Sequence, residues 1–493
     1  MNAQPVQIEL PRDRLRAKSL RERGAVVLIS CYELGHQPAG LAIPMGFLRR
    51  EGFDPVALDV SVDILSDDVI DRARFIGISA PMHTAMRIGI EVGHKIRERN
   101  AGCHICFYGM YATLNAEHLL NSVADSIVGG EYEEDLVEVV QQVESRSVMS
   151  RQTVGPVKIN RKPKLKRLSF PAADRQSLPP LEKYAKLEWN GAEKLVGYAE
   201  GTRGCLHHCL HCPIPAVYNG RFFAVPADVV LDDIRQQVEM GAEHITFGDP
   251  DFLNGPTHSL RITRRMQEEF PHLTFDFTAK VEHLIKYAGI IPEFKKYGCI
   301  FIISAVESLN DIVLQNLDKG HSREDVYRAL DIVRNAGIAM RPTWVAFTPW
   351  TSLDDYIEIL EFIYKEYLID NVDPVQLSIR LLIPPDSRLL SRGEIKPFLG
   401  ELDEASLYYT WKHPDKRMDE LQKEIAEIVE DAACSQQDAA VTFERIRRAA
   451  YEARGGRSPE LFVYPSSDER ERAPRITEPW FCCAEPTENQ INI

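Results

Sequence analysis

Short apolar, β-prone runs alternate with amphipathic stretches through most of this chain, in two blocks. The first block holds AVVLIS (Ala25–Ser30), PVALDV (Pro55–Val60), RFIGIS (Arg74–Ser79), HICFYG (His104–Gly109) and DSIVGG (Asp125–Gly130), which read as buried parallel strands. Between them lie segments such as LAIPMGFLRREG and AMRIGIEVGHKIRERN. Strand–helix alternation of this kind predicts a doubly wound, open parallel sheet. Such sheets bind ligands at the carboxyl ends of their strands. The stretch from Ser145 to about Lys186 is rich in Pro, Lys and Arg without sustained periodicity, and reads as a linker.

The second block starts with the strand LVGY and continues with HITFGDPDF, LTFDFTAK, CIFIISAVES, IAMRPTWVAF and PVQLSIRLLIP. After the first strand, Pro226 and Asp228 open a helix with Val230, Leu231, Ile234 and Val238 on one face. Ser322 and Asp325 have the spacing of a capping box for a helix running to Ala336. Six strand–helix units fall short of a closed eightfold barrel. A chain of 493 residues exceeds one ordinary core. The expected α/β layout is an N-terminal extension (1–24), a Rossmann-like sheet domain (25–144), a linker (145–189), a barrel-like domain (190–400), a helical segment (401–457) and a C-terminal tail (458–493).

Composition narrows the class of partner. The net charge of −15 disfavours a nucleic-acid backbone as partner for the whole surface, and basic RKPKLKR (Arg161–Arg167) reads as solvated linker. No run approaches the roughly 20 apolar residues of a membrane span, and MNAQPVQIELPRDRLR lacks the apolar centre of a signal peptide. Ten cysteines without a secretion signal point to the reducing cytoplasm. Cys31, Cys103, Cys106, Cys299 and Cys434 are scattered and read as small buried residues.

The chemistry concentrates in GTRGCLHHCLHCPIP, which begins at Gly201 and sets Cys205, Cys209 and Cys212 in a C-x3-C-x2-C spacing. Three thiolates this close suit three corners of a cubane iron–sulfur cluster. No nearby cysteine supplies the fourth corner, which leaves one iron open to substrate. A zinc site completed by His207, His208 or His211 is the alternative, although the usual paired C-x2-C knuckles are absent.

The three-cysteine spacing resembles that of the radical S-adenosylmethionine (SAM) superfamily. The resemblance implies a partial (β/α)6 barrel, a [4Fe–4S] cluster on Cys205, Cys209 and Cys212, and SAM chelated to the open iron. It also implies an electron donor such as flavodoxin or ferredoxin. By the same resemblance, GDPDF (Gly248–Phe252) lies where the family binds the SAM amino group, so Asp249 and Asp251 are candidate acceptors from that ammonium. AVES, with Glu307 and Ser308, lies where the family contacts the ribose and amino-acid portions, and LDKG, ending at Gly320, follows at the usual distance. The N-terminal block looks like the cobalamin-binding domain that precedes many radical SAM domains, through GLAIPMGFLRREGF, the GIS strand end and ADSIVGGEYEEDL. No D-x-H-x-x-G segment is present, so no histidine is expected beneath the cobalt. Gly109, Gly129 and Gly130 are the candidate cobalamin-cleft residues. Tyr108 and Met110 flank Gly109 where paired glycines are usual, and this leaves a relict domain without cobalamin as the alternative.

The chain ends EPWFCCAEPTENQINI. Adjacent Cys482 and Cys483 make a poor disulfide, and vicinal thiols suit a soft thiophilic centre such as trivalent arsenic, or redox cycling. Pro479, Trp480 and Phe481 give the tail anchors; a tail without function is the alternative. The ending resembles that of the CUAEP/CCAEP-tail radical SAM proteins, which include the arsinothricin-biosynthesis enzyme. That likeness implies transfer of the 3-amino-3-carboxypropyl group of SAM to arsenite, a step in antibiotic biosynthesis, with Cys482 and Cys483 presenting As(III). The competing expectation is a cobalamin-dependent radical SAM methyltransferase acting on a small molecule.

Overall fold

The computed structural model describes residues 16–149, 159–160, 162–456, 462–466, 470 and 472–478. They fall into two compact units that divide between Pro179 and Pro180, with Leu34–Gln37 belonging to the second.

In the first unit the apolar runs form β1 (Val26–Ser30), β2 (Val56–Asp59), β3 (Phe75–Ser79), β4 (His104–Tyr108) and β5 (Ser126–Val128). A sixth strand, β6 (Ile159–Asn160), pairs with β5 inside the stretch that reads as linker. All pairs are parallel, in the order β2-β1-β3-β4-β5-β6. β1 and β3 are buried along their whole length, as expected of strands covered by helices on both faces. Leu41, Met45 and Phe47 of helix Ala39–Arg50 pack with Val26, Leu28 and Phe75 in one core. The order reverses beside β1, so the crevice of this sheet opens at the carboxyl ends of β1 and β3.

The second unit begins with a hairpin of β7 (Lys186–Trp189) and β8 (Ala192–Ala199), then a short antiparallel pair, β9 (Thr202–Gly204) and β10 (Phe222–Ala224). Parallel strands β11 (His244–Phe247), β12 (Thr274–Ala279), β13 (Cys299–Glu307) and β14 (Ala339–Trp344) extend from β8. Helix Ala227–Glu239 buries Val230, Leu231 and Ile234. Helix Arg323–Asn335 starts with the Ser322–Asp325 capping box.

Two expectations need correction. PVQLSIRLLIP does not form a sixth barrel strand: Pro374–Leu377 is a 3₁₀ turn, and only Arg380 bridges to Phe347. Pro374 supplies no backbone donor, and the turn consumes the length a strand needs. The segment after Asp403 is predominantly helical, with helices Lys416–Ser435 and Ala439–Arg454 following a hairpin of β15 (Leu399–Asp403) and β16 (Tyr408–Trp411). Cys434 is exposed, whereas Cys31, Cys103, Cys106 and Cys299 are buried. Finally, β17 (Arg475–Ile476) pairs antiparallel with β7 and closes the outer edge of the sheet. Among the described residues no helix is long and apolar enough to cross a membrane.

Candidate active site

The cysteine loop hangs from the carboxyl end of β8. The β9–β10 ladder, with Gly204 opposite Phe222 and Thr202 opposite Ala224, clamps its base. Gly204 has φ +73°, and an added Cβ would collide with Arg221 O and the Tyr218 ring, so glycine lets the chain turn into the loop. Asn254 Oδ1 accepts from Leu206 N at 3.3 Å and lies 3.9 Å from Cys205 Sγ, while Leu210 N donates to Leu317 O at 2.9 Å. The loop is thus tied to the segments that follow β11 and β13.

Cys205 and Cys209 are buried and Cys212 is partly buried. Burial pushes the Cys205 and Cys212 thiols up, and the Cys212 thiol senses Cys209 and Cys205 as nearby charges. Cluster ligands must be thiolates, so this pocket requires compensating positive charge. Lys319 provides it: burial favours its neutral form, but Glu307, Cys209 and Cys212 outweigh that and hold it protonated. Among the described residues the three sulfurs do not gather within 4.8 Å as the ligands of a single ion do. A tetrahedral zinc draws sulfurs to about 3.8 Å of one another; cubane corners lie farther apart. The three histidines of the loop face groups other than the thiols. His207 faces Asp251 and Glu282, His208 Nδ1 lies 2.6 Å from Arg388 Nη1, and His211 lies 3.4 Å from Glu307. The thiol set therefore fits a cubane cluster better than zinc.

Asp249 and Asp251 sit on the loop that follows β11, anchored by Phe252 against Phe247 and Phe277 at ring distances of 4.5 and 5.0 Å. Both carboxylates are already engaged by the protein. Asp249 accepts from Gly201 N at 2.8 Å and from Thr202 Oγ1 at 2.6 Å, which fixes the turn between β8 and β9. Asp251 Oδ1 accepts from Leu253 N at 2.9 Å, and Oδ2 faces His283, His207 and Lys280 N. Burial raises the Asp249 carboxyl to about 7, against the lowering pull of its Thr202 and Gly201 donors. A carboxyl raised on folding contributes stability that is present at low pH and lost between about pH 4 and about pH 7. We therefore expect Asp249→Asn to gain stability relative to the parent as pH rises across that window. The amide keeps the Gly201 acceptor and can donate to Thr202 Oγ1. Asp249→Ala, which leaves Gly201 N unsatisfied, should lose about 1–3 kcal/mol. Thermal melts at a series of pH values check both; a parent–Asn difference that does not change with pH contradicts the first.

Glu307 ends β13 at a register shift and takes the left-handed φ of +68°, rare for a residue with a side chain. Its Oε1 lies 3.2 Å from Lys319 Nζ and 3.4 Å from His211 Nε2. Burial would raise this carboxyl, but Lys319 and His211 bring it down to about 2. Ser308 is buried and its hydroxyl accepts from Asn310 N at 3.1 Å. Gly320 has φ +74° beside Glu282 and Lys280. Sequence reasoning overlooked Thr202, Asn254, Lys280, His283 and Lys319. The charged run KVEH, placed at a strand end, was the available signal for two of them.

In the first unit, Gly109 ends β4 with φ +103°, where a Cβ would press on Ala80 O at 3.1 Å. A Cβ on Gly129 would collide with Thr113 Oγ1, and one on Gly130 (φ +73°) would meet Lys164 O at 2.6 Å. All three glycines are therefore required by contacts within the domain itself. Tyr108 is buried and donates to Gly40 O at 2.7 Å, in the first turn of the helix that follows β1, so its hydroxyl lies at the carboxyl ends of the strands. At the strand-end crevice Ser30 Oγ is buried without a hydrogen-bond partner at the end of β1. A buried hydroxyl left open at the switch point fits a polar ligand such as a corrinoid. Cys482 and Cys483 lie outside the described residues, as do Pro479, Trp480 and Phe481.

Comparison with known proteins agrees with both halves. Residues 200–363 match the radical SAM superfamily, and residues 25–140 match the B12 binding domain. The chain is 22% identical over 387 residues to a Methanocaldococcus jannaschii protein provisionally named a methylthiotransferase, covering 74% of this chain and 79% of that one. It is 20% identical over 321 residues to the hopanoid C-3 methylase of Methylococcus capsulatus, covering 64% and 62%. Its fold is similar to that of OxsB, a cobalamin-dependent SAM radical enzyme solved with aqua-cobalamin and SAM bound, with a TM-score of 0.62, 13% identity, and 86% and 71% of the two chains covered. The chain thus carries a radical SAM domain over residues 200–363, preceded by a B12-binding domain over residues 25–140.

Proposed function

We propose that this enzyme is a cobalamin-dependent methyltransferase that methylates a small organic molecule. The carrying observation is the presence in one chain of a B12-binding domain and a three-cysteine loop at the mouth of a parallel sheet. The relatives named as methylase and methylthiotransferase support it. Together, the bound groups supply one-electron cleavage of a carbon–sulfur bond of SAM and a methyl carrier.

The chain's own part is to hold and shield them. Cys205, Cys209 and Cys212 hold the cluster. Lys319 sets a fixed positive charge beside Cys209 and Cys212, and Glu307 keeps that lysine charged and in place. Asp249 fixes the turn that aims the loop. Buried walls of this kind keep water from reactive species. Flavodoxin or ferredoxin is the proposed electron donor.

Aminocarboxypropyl transfer to arsenite rests on the CCAEP ending, and no feature of the described residues favours it. It predicts that Cys482→Ser with Cys483→Ser spares SAM cleavage and abolishes arsenite-dependent product, as mass spectrometry would show.

The acceptor class is tested by incubating the reconstituted enzyme with methyl-labelled SAM and host extract. Label should appear in the small-molecule filtrate and disappear when cobalamin is omitted. Label confined to precipitable protein or RNA would contradict a small-molecule acceptor.

A further inference from the structure

Beside the cluster loop, three side chains from three different elements converge. His207 comes from the cysteine loop, Asp251 from the segment after β11, and His283 from the short helix Val281–Lys286 after β12. One ligand atom from each lies within 4.8 Å of the other two. Asp251 Oδ2 is 2.8 Å from His283 Nδ1 and 3.6 Å from His207 Nε2.

We infer that His207, Asp251 and His283 form a binding site for a divalent first-row transition-metal ion, separate from the three cysteines. Several observations carry this assignment. His283 is only 3% exposed and Asp251 is fully buried. Yet His283 Nδ1 and His207 Nε2, the two ring atoms that face the carboxylate, have no hydrogen-bond partner. At 2.8 Å, His283 Nδ1 misses strict hydrogen-bond geometry to Asp251, although both imidazoles are close enough to draw that carboxyl below its usual range against the effect of burial. Buried ring nitrogens are seldom left so. A tetrahedral ion with bonds of about 2.0–2.1 Å separates its ligand atoms by about 3.3 Å, a value between the two observed separations.

The surroundings match the outer shell of a metal site. Asp251 is oriented through its other oxygen by Leu253 N. The second nitrogen of His207 faces Glu282 Oε2 at 3.6 Å, just beyond hydrogen-bond distance. Two imidazoles and one carboxylate suit zinc, iron, cobalt or nickel rather than magnesium or calcium. Three protein ligands are also the number found in catalytic zinc sites, which leaves a position for water or for an oxygen or nitrogen donor of a substrate. The assignment is independent of the methyl-transfer reading.

The test uses the full chain, reconstituted anaerobically with its [4Fe–4S] cluster, given one equivalent of zinc and desalted. Zinc K-edge absorption then reads the zinc environment without interference from iron. The expected result is about one zinc per chain with a nitrogen/oxygen shell near 2.0–2.1 Å and no sulfur near 2.3 Å. His283→Gln and His207→Gln should each lower zinc retention by about tenfold or more. Iron content and cluster absorbance equal to the parent's show that a variant has folded. Where one variant loses iron, the other variant and the parent spectrum decide. Zinc lost on desalting, a sulfur shell placing it on the cysteines, or full retention in both folded histidine variants would overturn the assignment.

Discussion

Replacing Cys205, Cys209 and Cys212 with alanine abolishes the brown chromophore of the anaerobically reconstituted protein, and with it all cleavage of SAM. The effect is all-or-none because no other described cysteine can substitute: Cys31, Cys103, Cys106 and Cys299 are buried elsewhere, and Cys434 is on an exposed helix end. Single replacements should leave incomplete or unstable clusters, since each thiolate holds a separate corner. Iron and sulfide analysis alongside absorbance checks the result. Stoichiometric zinc with no iron in anaerobically purified protein would show instead that the thiols form a different kind of site.

The second large effect is expected at Lys319. Its ammonium is 3% exposed and lies 3.2 Å from Glu307, itself 10% exposed. Lys319→Met leaves a buried carboxylate with only His211 nearby, and losing one partner of a buried pair costs about 3–5 kcal/mol. Glu307→Gln in the same chain should recover most of that loss, because the uncompensated charge is gone. The double variant should still hold its cluster less well than the parent, since the positive charge beside Cys209 and Cys212 is lost. A double-mutant cycle by denaturant unfolding, with iron content measured in each variant, separates the two effects. A Lys319→Met protein as stable as the parent would mean that the pair is solvated and does not support the loop.

Local sequence was a good guide wherever one element's own pattern decided its structure. RFIGIS and HICFYG are continuous apolar runs, and a strand buried on both faces has no other appearance. Helix Arg323–Asn335 was legible from its capping box alone. The failures came where the outcome depended on partners distant in sequence. β9 and β10 are three residues each and exist only because they pair across the cysteine loop. β6 and β17 have two residues each and no periodicity to detect. PVQLSIRLLIP has strand-like composition, but Pro374 and the 3₁₀ turn govern its conformation.

The site shows the same division. The cysteine spacing is local and was legible; the partners of Asp249 and Asp251 are not. A carboxylate after a strand reads equally well as a ligand for a bound ammonium or as an internal acceptor. The structure shows Asp249 on Gly201 and Thr202, and Asp251 among two histidines. Lys319 is nearly invisible in LDKG, because its importance comes from burial against Glu307 and the cysteines.

The most direct test of the account is the product balance of SAM in single-turnover reactions, with and without hydroxocobalamin, using the reduced, cluster-loaded enzyme. Cobalamin-dependent methyl transfer predicts S-adenosylhomocysteine that vanishes when cobalamin is omitted, with 5′-deoxyadenosine as the radical product. Methylthioadenosine as the main product, formed equally with and without cobalamin, would contradict it and return the enzyme to aminocarboxypropyl transfer.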